Sequence, residues 1–191
     1  MKDTSIPTAY LRQALEGARA SGYDIKRLLK EHGIPPRLLE EERARIGIDP
    51  FVQLQQRLFS LMNDEGAGLL EKPQRLGTFG LIAKAALTCQ NLDEVLRHFK
   101  HAYNLFENGF YHNIREQDGN VIYSLQRRSH NSVRNKFMVE FNLMTLHRFI
   151  CWLFATRVEL LSVSLDYPAP SWENEYRSLF SNASMRFKQH E

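Results

Sequence analysis

The first half of the chain has the apolar spacing of amphipathic helices, with apolar residues recurring three and four positions apart. Pro7 and Gly22 bracket the first such segment, and Asp24 precedes the second. Proline and aspartate are typical of helix starts, and glycine is typical of helix ends. We therefore predict helices at 8–20, at 24–32, from Asp49 as the capping residue onward, within 76–89, and at 91–106 with Asn91 or Asp93 as the cap.

The spacing changes to two after residue 109, which is typical of strands. The segments "FYHNIRE" at 110–116 and "NVIYSLQRR" at 120–128 flank Asp118 and Gly119, a pair that supplies the positive φ of a tight hairpin turn. Beyond the hairpin, the pattern predicts a long helix at about 131–155, a strand at 158–167, a short helix at 172–180 and a strand at 184–190.

Two prolines mark a corner between the predicted strand at 158–167 and the predicted helix at 172–180. Pro168 and Pro170 end the strand before them, because neither can donate to a sheet ladder and each disfavours helix in the preceding residue. We expect Ser171 to cap the helix that follows. Tyr176 and Phe180, four positions apart, should share the face that packs against the sheet.

This order of elements predicts an α+β fold. We expect a helical N-terminal part at 1–76, packed on an α+β core at 77–191. The core should contain a small, mostly antiparallel sheet of about four strands and one long central helix. Both parts are expected to belong to a single domain at 1–191.

The composition is that of a folded domain, since 43% of the residues are hydrophobic and 25% are charged. A net charge of +3 is too weakly basic to indicate a nucleic-acid surface, and the one basic cluster, around Arg127 and Arg128, is typical of a solvated strand end. The N-terminus lacks the apolar segment of a secretory leader, and the apolar run at 149–155 is much shorter than the ~18 residues of a membrane helix. We expect a cytoplasmic protein without a membrane partner.

Known motifs of catalysis and of metal or cofactor binding are absent from the sequence, including GxGxxG, the P-loop, HExxH, CxxC and GxSxG. His98 and His101 lie three apart on a predicted helix, but no further ligand accompanies them. Cys89 and Cys151 lack a charged neighbour that would activate a thiol, and we expect both to be reduced. The sequence therefore predicts no enzymatic activity, no metal and no cofactor.

Two ionisable residues on the long helix suggest a binding site. Glu140 and His147 share, with Cys151, an arc between two apolar stripes. Burial of such groups costs free energy unless each has a partner. In one interpretation each has a protein partner, an arginine for Glu140 and a backbone carbonyl for His147. In the other interpretation both face a cavity and orient a small polar ligand.

The segment at 75–106, "RLGTFGLIAKAALTCQNLDEVLRHFKHAYNLF", resembles a glycine-containing helical segment of AraC-family transcriptional regulators. The stretch "LLKEHGIPPRLLEEERARIGIDPFVQ" and the closing "VSLDYPAPSWENEYRSLFSNASMRF" are similar to other parts of the same domain, the family's N-terminal arabinose-binding-type ligand-binding and dimerisation domain. These motifs occur in the family's order along nearly the whole chain. Asn91, Tyr167 and the region from the hairpin to residue 157 depart from the pattern.

The resemblance implies the regulatory domain of a bacterial transcription factor. It further implies a small organic effector, a homodimer, and contact with DNA only through a C-terminal helix-turn-helix half that we expect beyond Glu191. Two alternatives stay open: a non-regulatory carrier of hydrophobic ligands or a small enzyme that uses Glu140 and His147, and a domain that only dimerises, through the helix at 92–107 or the one at 131–155.

The lining of an effector site is predicted from residue chemistry, with the effector expected between the sheet and the helices. Tyrosine hydroxyls suit a polar group while their rings form a wall, and arginines suit a carboxylate such as that of an amino acid or a fatty acid. The predicted lining residues are Phe79, Tyr103, Phe110, Tyr123, Arg127, Arg134, Glu140, Met144 and His147.

Overall fold

The computed structural model describes residues 5–107, 109–131, 133, 135–180 and 182–188. The chain divides into two compact units, Met1–Glu140 and Phe141–Glu191. The boundary between them lies within one helix, Lys136–Leu153.

The first unit begins with a group of short helices whose apolar faces meet in a common core. Its elements are β1 (Ser5–Pro7), α1 (Thr8–Ala14), α2 (Glu16–Ala20), α3 (Ile25–Glu31), a 3-10 helix (Pro36–Leu39), β2 (Arg45–Gly47) and α4 (Ile48–Met62). The core contains fully buried leucines from four of these helices or their connections: Leu11, Leu15, Leu29, Leu54 and Leu58. β1 and β2 pair antiparallel, with Ile6 opposite Ile46.

The helix ends agree with the sequence in part. Asp24 caps α3 as predicted, because its carboxylate accepts the N–H of Arg27 at 3.0 Å. The helix predicted at 8–20 is observed as α1 and α2 in succession. Asp49 is not a capping residue: α4 begins one residue earlier, and Asp49 lies in its first turn. The extended strand β2 ends at Gly47, which therefore occupies the cap position.

The turn after α4 is organised around the buried carboxylate of Asp64, whose side chain is 2% exposed. Its two oxygens accept the backbone N–H groups of Gly66, Gly68 and Gln74, each at 2.8 Å. Because hydrogen bonds to a charged acceptor are stronger than neutral ones, these three bonds fix a loop that has no regular structure.

The neighbouring Glu65 connects this loop to α5 (Thr78–Ala86). Its carboxylate accepts the N–H of Gly77 at 2.8 Å and that of Phe79 at 2.9 Å, and it also accepts the side-chain amide of Gln74 at 2.7 Å. The first N–H groups of a helix lack intrahelical partners and favour negative charge. Glu65 therefore determines where α5 begins and where Phe79 lies.

A glycine in α2 allows the same loop to approach the helical core. A Cβ atom on Gly17 would lie 2.0 Å from the carbonyl oxygen of Ala67 and 2.5 Å from the carbonyl carbon of Gly68. Both neighbours are backbone atoms, so no rotation of a side chain could relieve the overlap. Gly68 itself has a φ of +74°, in the left-handed region that favours glycine.

The first unit is completed by a helix and a hairpin: α6 (Leu92–Phe106), β3 (Phe110–Gln117) and β4 (Asn120–Arg127). Asn91 is confirmed as the cap of α6, since its side chain accepts the N–H of Glu94 at 2.9 Å. The hairpin is also confirmed, with antiparallel pairing along both strands. Asp118 and Gly119 have φ values of 51° and 74°, as a two-residue turn with both φ positive requires.

The second unit contains most of α7 (Lys136–Leu153) and three short elements. These are β5 (Ser162–Leu165), α8 (Tyr176–Leu179), which follows a 3-10 turn at Glu173–Glu175, and β6 (Ser184–Phe187). Tyr176 and Phe180 are buried and share a face as predicted, with ring centroids 6.0 Å apart, and Phe187 of β6 lies 5.8 Å from Tyr176. Ser171 is not a cap, because the 3-10 turn begins with the N–H of Glu173 donating to Pro170.

The α+β class is confirmed, but the described strands do not form one sheet of about four. They form three pairs: β1 with β2, β3 with β4, and β5 with β6, the last of which is parallel. Strand periodicity identifies segments that extend, whereas pairing depends on contacts remote in sequence. The long helix is likewise not a single dominant element, since α4 and α6 each have 15 residues beside the 18 of α7.

We expect Asp64→Asn to destabilise the protein by about 2–3 kcal/mol, because an amide nitrogen would replace one acceptor oxygen and face a buried backbone N–H. Urea unfolding followed by circular dichroism measures this change. Asp93→Asn is the matched control: its carboxylate is exposed and pairs only with Arg97 on the surface of α6, so a loss of at most about 0.5 kcal/mol is expected. Equal losses in the two variants would contradict the role assigned to Asp64.

Candidate functional site

Six rings from two helices, α5 and α6, and two strands, β3 and β4, meet in the first unit. We call this set the aromatic cluster: Phe79, Phe99, Tyr103, Phe110, His112 and Tyr123. Phe79 of α5 lies 6.5 Å from Phe99 of α6, and Phe99 lies 5.9 Å from Tyr103. The Tyr103 ring stacks on the His112 imidazole at 4.9 Å with an interplanar angle of 11°.

The two remaining rings of the cluster contact the same imidazole. Phe110 and Tyr123 have centroids 6.3 Å and 5.8 Å from that of His112, both in edge-to-face arrangements. Such offset and perpendicular geometries are those that aromatic rings prefer. His112 is therefore the centre of the cluster.

The local sequence explains why these side chains meet. Phe99 and Tyr103 are four positions apart and share one side of α6. Phe110 and His112 are two apart on β3 and are both buried, whereas Tyr111 between them is exposed. Tyr123 of β4 is opposite Ile114, so it is a diagonal neighbour of His112 across the hairpin.

His112 is 2% exposed, and its Nδ1 atom lies 2.8 Å from the Tyr123 hydroxyl. Burial, with a smaller contribution from the positive charge of Arg128, lowers the pKa of His112 to about 3. Burial raises the pKa values of Tyr103 and Tyr123 above the ordinary value of 10. At neutral pH, the cluster therefore contains a neutral imidazole and two protonated hydroxyls.

The backbone of His112 is held by the end of α6. Asn104 accepts the His112 N–H and donates to the His112 carbonyl, both at 2.9 Å. Arg128 donates to the carbonyl oxygens of Asn104 at 2.8 Å and of Phe110 at 3.0 Å, and its guanidinium lies 4.3 Å from the centre of the Tyr111 ring. These bonds join α6 to both strands and fix the ring stacked on Tyr103.

The structure brings together four of the predicted lining residues: Phe79, Tyr103, Phe110 and Tyr123. Arg127 is half-buried at the end of β4, opposite Phe110 in the strand register. Glu140 is buried within the first unit, whereas Met144 and His147 belong to the second unit. Arg134 lies outside the described residues.

His147 in the second unit has a backbone carbonyl as its partner, as the first of the two interpretations expected. Its Nε2 atom lies 2.8 Å from the carbonyl oxygen of Val158. Since a carbonyl can only accept, Nε2 carries the proton of this bond. Cys151 lies 3.5 Å from the same nitrogen, and its sulfur accepts the N–H of Val158 at 3.4 Å.

His112 was not among the predicted lining residues, although the sequence contained a signal for it. The alternation of "FYHNIRE" places His112 on the same face as Phe110, which was a predicted wall residue. His98 borders the cluster: its ring lies 6.0 Å from that of Phe99, and its Nε2 atom contacts the carbonyl oxygen of Ile82 at 2.9 Å, whereas His101 is exposed.

Two kinds of feature are absent from the described part of the chain. No group of three or more His, Cys, Asp and Glu side chains there could hold a metal ion. None of the helices there has both the length and the apolar character needed to cross a membrane. The aromatic cluster offers rings, hydroxyls and a neutral imidazole, groups that are able to bind organic molecules through stacking and hydrogen bonds.

Comparison with known protein families gives a match over most of the chain. Residues 22–191 match the family described as the arabinose-binding domain of AraC transcription regulators, N-terminal. Because the match covers most of the chain, the protein belongs to this family and is a regulatory ligand-binding domain. A search of curated proteins gives no match.

We expect the unfolding free energy to fall as the pH is lowered below about 6.5, by up to about 1.4 kcal/mol per pH unit. The sign follows from the pKa of His112, about 3 in the folded protein and 6.5 ordinarily, because the unfolded chain binds a proton in this range and the folded chain does not. His112→Asn should remove this contribution to the slope, as measured by urea unfolding at several pH values.

Tyr123→Phe separates burial from hydrogen bonding in this experiment. It removes the bond to Nδ1 but retains a buried imidazole, so we expect a loss of about 1 kcal/mol at neutral pH and an unchanged dependence on pH. A wild-type slope in His112→Asn would show that His112 does not contribute to it.

Proposed function

We propose that this regulatory domain binds a small organic effector at the aromatic cluster. The supporting observation is the neutral polar centre within it, where the Tyr123 hydroxyl and the His112 imidazole meet at 2.8 Å among otherwise apolar rings. Phe79 and Tyr123 are only half-buried, so the cluster extends to the surface of the first unit. An effector can stack on these two rings and form hydrogen bonds with the tyrosine hydroxyls of the cluster.

The Tyr103 hydroxyl is the group in the cluster that is best suited to a ligand. Among the described residues it has no hydrogen-bond partner, although its ring is buried. Its raised pKa keeps it protonated, and so able to donate, at neutral pH. A ligand carbonyl, carboxylate or hydroxyl oxygen would satisfy this donor.

An effector with a carboxylate is favoured by Arg127, which lies opposite Phe110 at the open end of the hairpin. A guanidinium can bind a carboxylate through two parallel hydrogen bonds. Amino acids and fatty acids combine such a group with an apolar part for the rings. The chemistry of the cluster supports these two classes as effector candidates.

The effector would act by preferring one state of a longer regulator. We take that regulator to carry a C-terminal helix-turn-helix half, and DNA contact to occur through that half alone. A ligand that binds two states with different affinity shifts their equilibrium, and with it the affinity for DNA. The alternative of an enzyme or carrier using Glu140 and His147 is not favoured by the geometry, since the His147 Nε2 atom already donates to Val158.

We expect a thermal-shift screen of amino acids and fatty acids to identify a stabilising ligand. At 100 times its Kd, such a ligand raises the unfolding free energy by about 2.7 kcal/mol. Tyr103→Phe should weaken binding roughly tenfold, because one hydrogen bond is lost without a change in shape. Tyr111→Phe is the matched control, since Tyr111 is exposed between the two inward residues of β3 and should leave the Kd unchanged. A ligand that binds Tyr103→Phe as tightly as wild type would refute the assignment to the cluster.

The proposed function includes a homodimer. Three large leucines within or beside α5 are more than half exposed: Leu76 at 51%, Leu81 at 64% and Leu87 at 55%. Neighbouring exposed apolar side chains are typical of protein–protein contacts. A second copy of this domain that covers α5 would remove them from water.

Leu81→Asp should therefore weaken the homodimer by about tenfold or more, because a carboxylate would be desolvated in an apolar contact. Sedimentation velocity over a range of concentrations measures the effect. Leu161→Asp, at another leucine with 69% exposure, should sediment as wild type. If wild type is a monomer throughout, or if both variants dimerise normally, α5 is not the interface.

A further inference from the structure

The second unit contains a cavity of about 690 Å³ between the C-terminal half of α7 and the turn around α8. Its volume falls within the roughly 300–1,000 Å³ typical of small-molecule sites. It shares no residue with the aromatic cluster, and the proposed effector function does not use it.

Three arginines line this cavity: Arg148, Arg157 and Arg177. None of the described residues that line it is acidic. Three guanidinium groups around one concave surface produce a positive potential that attracts anions, and this potential is stronger in a cleft than on a flat surface.

Arg148 and Arg177 differ in their contacts within the unit. Arg148 donates to the carbonyl oxygens of Ser178 at 3.3 Å and Leu179 at 3.5 Å, at the C-terminal end of α8. Cations favour helix C-termini, so this pair of bonds explains Arg148 as part of the scaffold. Arg177, in the last turn of α8, is exposed, and its guanidinium is available to a ligand.

Neutral donors complete the lining. Thr156, Ser178 and Asn182 also line the cavity and can donate to oxygen atoms of a ligand. Guanidinium groups combined with hydroxyl and amide donors are the partners that carboxylates and phosphates use in proteins.

We propose that this cavity is a second binding site, for a small anion that carries at least two negative charges on carboxylate or phosphate groups. A ligand with two or more anionic groups can contact Arg177 and a second arginine of the lining at once. The site thus differs from the aromatic cluster in both ligand class and location in the sequence.

Cys151 provides a built-in reporter of occupancy. It lines the cavity and is partly exposed. The second cysteine, Cys89, lies in the first unit, where burial and the nearby charge of Glu94 raise its pKa. In a Cys89→Ser background, alkylation by neutral iodoacetamide therefore reports on Cys151 alone.

We expect citrate and inorganic phosphate to slow this alkylation, each tested against sodium chloride at equal ionic strength. At roughly ten times its Kd, an anion that covers the thiol reduces the rate about tenfold. Citrate protecting at lower concentration than phosphate would identify a polycarboxylate ligand, and the reverse would identify a phosphate ligand. Protection by chloride equal to that by both probes would overturn the proposal, because ionic screening would then explain it.

Arg177→Gln tests the assignment to the arginines. We expect this variant to need at least about tenfold more anion for the same protection of Cys151. The urea midpoint should stay at the wild-type value, because Arg177 is exposed. Arg186→Gln removes the same charge from an exposed position on β6 that does not line the cavity. In this variant, the anions should protect Cys151 at the same concentrations as in the wild type. Equal protection in both variants would show that net charge, rather than this cavity, governs the effect.

Discussion

The three hydrogen bonds that backbone N–H groups donate to the Asp64 carboxylate are the constraint on which the first unit depends. They hold the loop that follows α4 in one conformation, although that loop contains several glycines and would otherwise have many. The same conformation brings Glu65 to the N-terminus of α5, so the position of Phe79 follows from a carboxylate fourteen residues earlier in the chain. The aromatic cluster is therefore supported by a polar loop rather than by apolar packing alone.

A second junction, at the end of α6, gives the aromatic cluster its chemistry. Asn104 and Arg128 satisfy backbone groups of β3 that would otherwise be unpaired, and they hold His112 under the ring of Tyr103. The surroundings keep the imidazole neutral at the pH of a cell. The cluster consequently offers dipoles and ring faces, rather than charges, to the proposed organic effector.

Local signals in the sequence predicted the caps and turns of the fold, whereas contacts between segments remote in sequence could not be predicted from it. Asp24, Asn91 and the Asp118–Gly119 turn act within a few residues, and the structure confirms all three. The pairing of β5 with β6 is parallel and spans a corner and a helix, so periodicity could not specify it. Strands β1 and β2 have three residues each, too few to produce an alternating pattern. Of the predicted lining residues in the aromatic cluster, Tyr103 and Phe110 are buried in the structure, whereas the role of His112 depends on its partners from α6 and β4.

Gly17 shows how a locally unfavourable residue can be required by the fold. Glycine within a helix costs up to about 1 kcal/mol relative to alanine, so helix propensity alone would mark both Gly17 in α2 and Gly80 in α5 for replacement. The two positions are opposites in three dimensions: a Cβ atom at Gly80 would meet nothing within 4 Å, and one at Gly17 would overlap the backbone of the loop that Asp64 organises. The structure therefore excludes a side chain at position 17 and has room for one at position 80, a distinction that depends wholly on what packs against each helix.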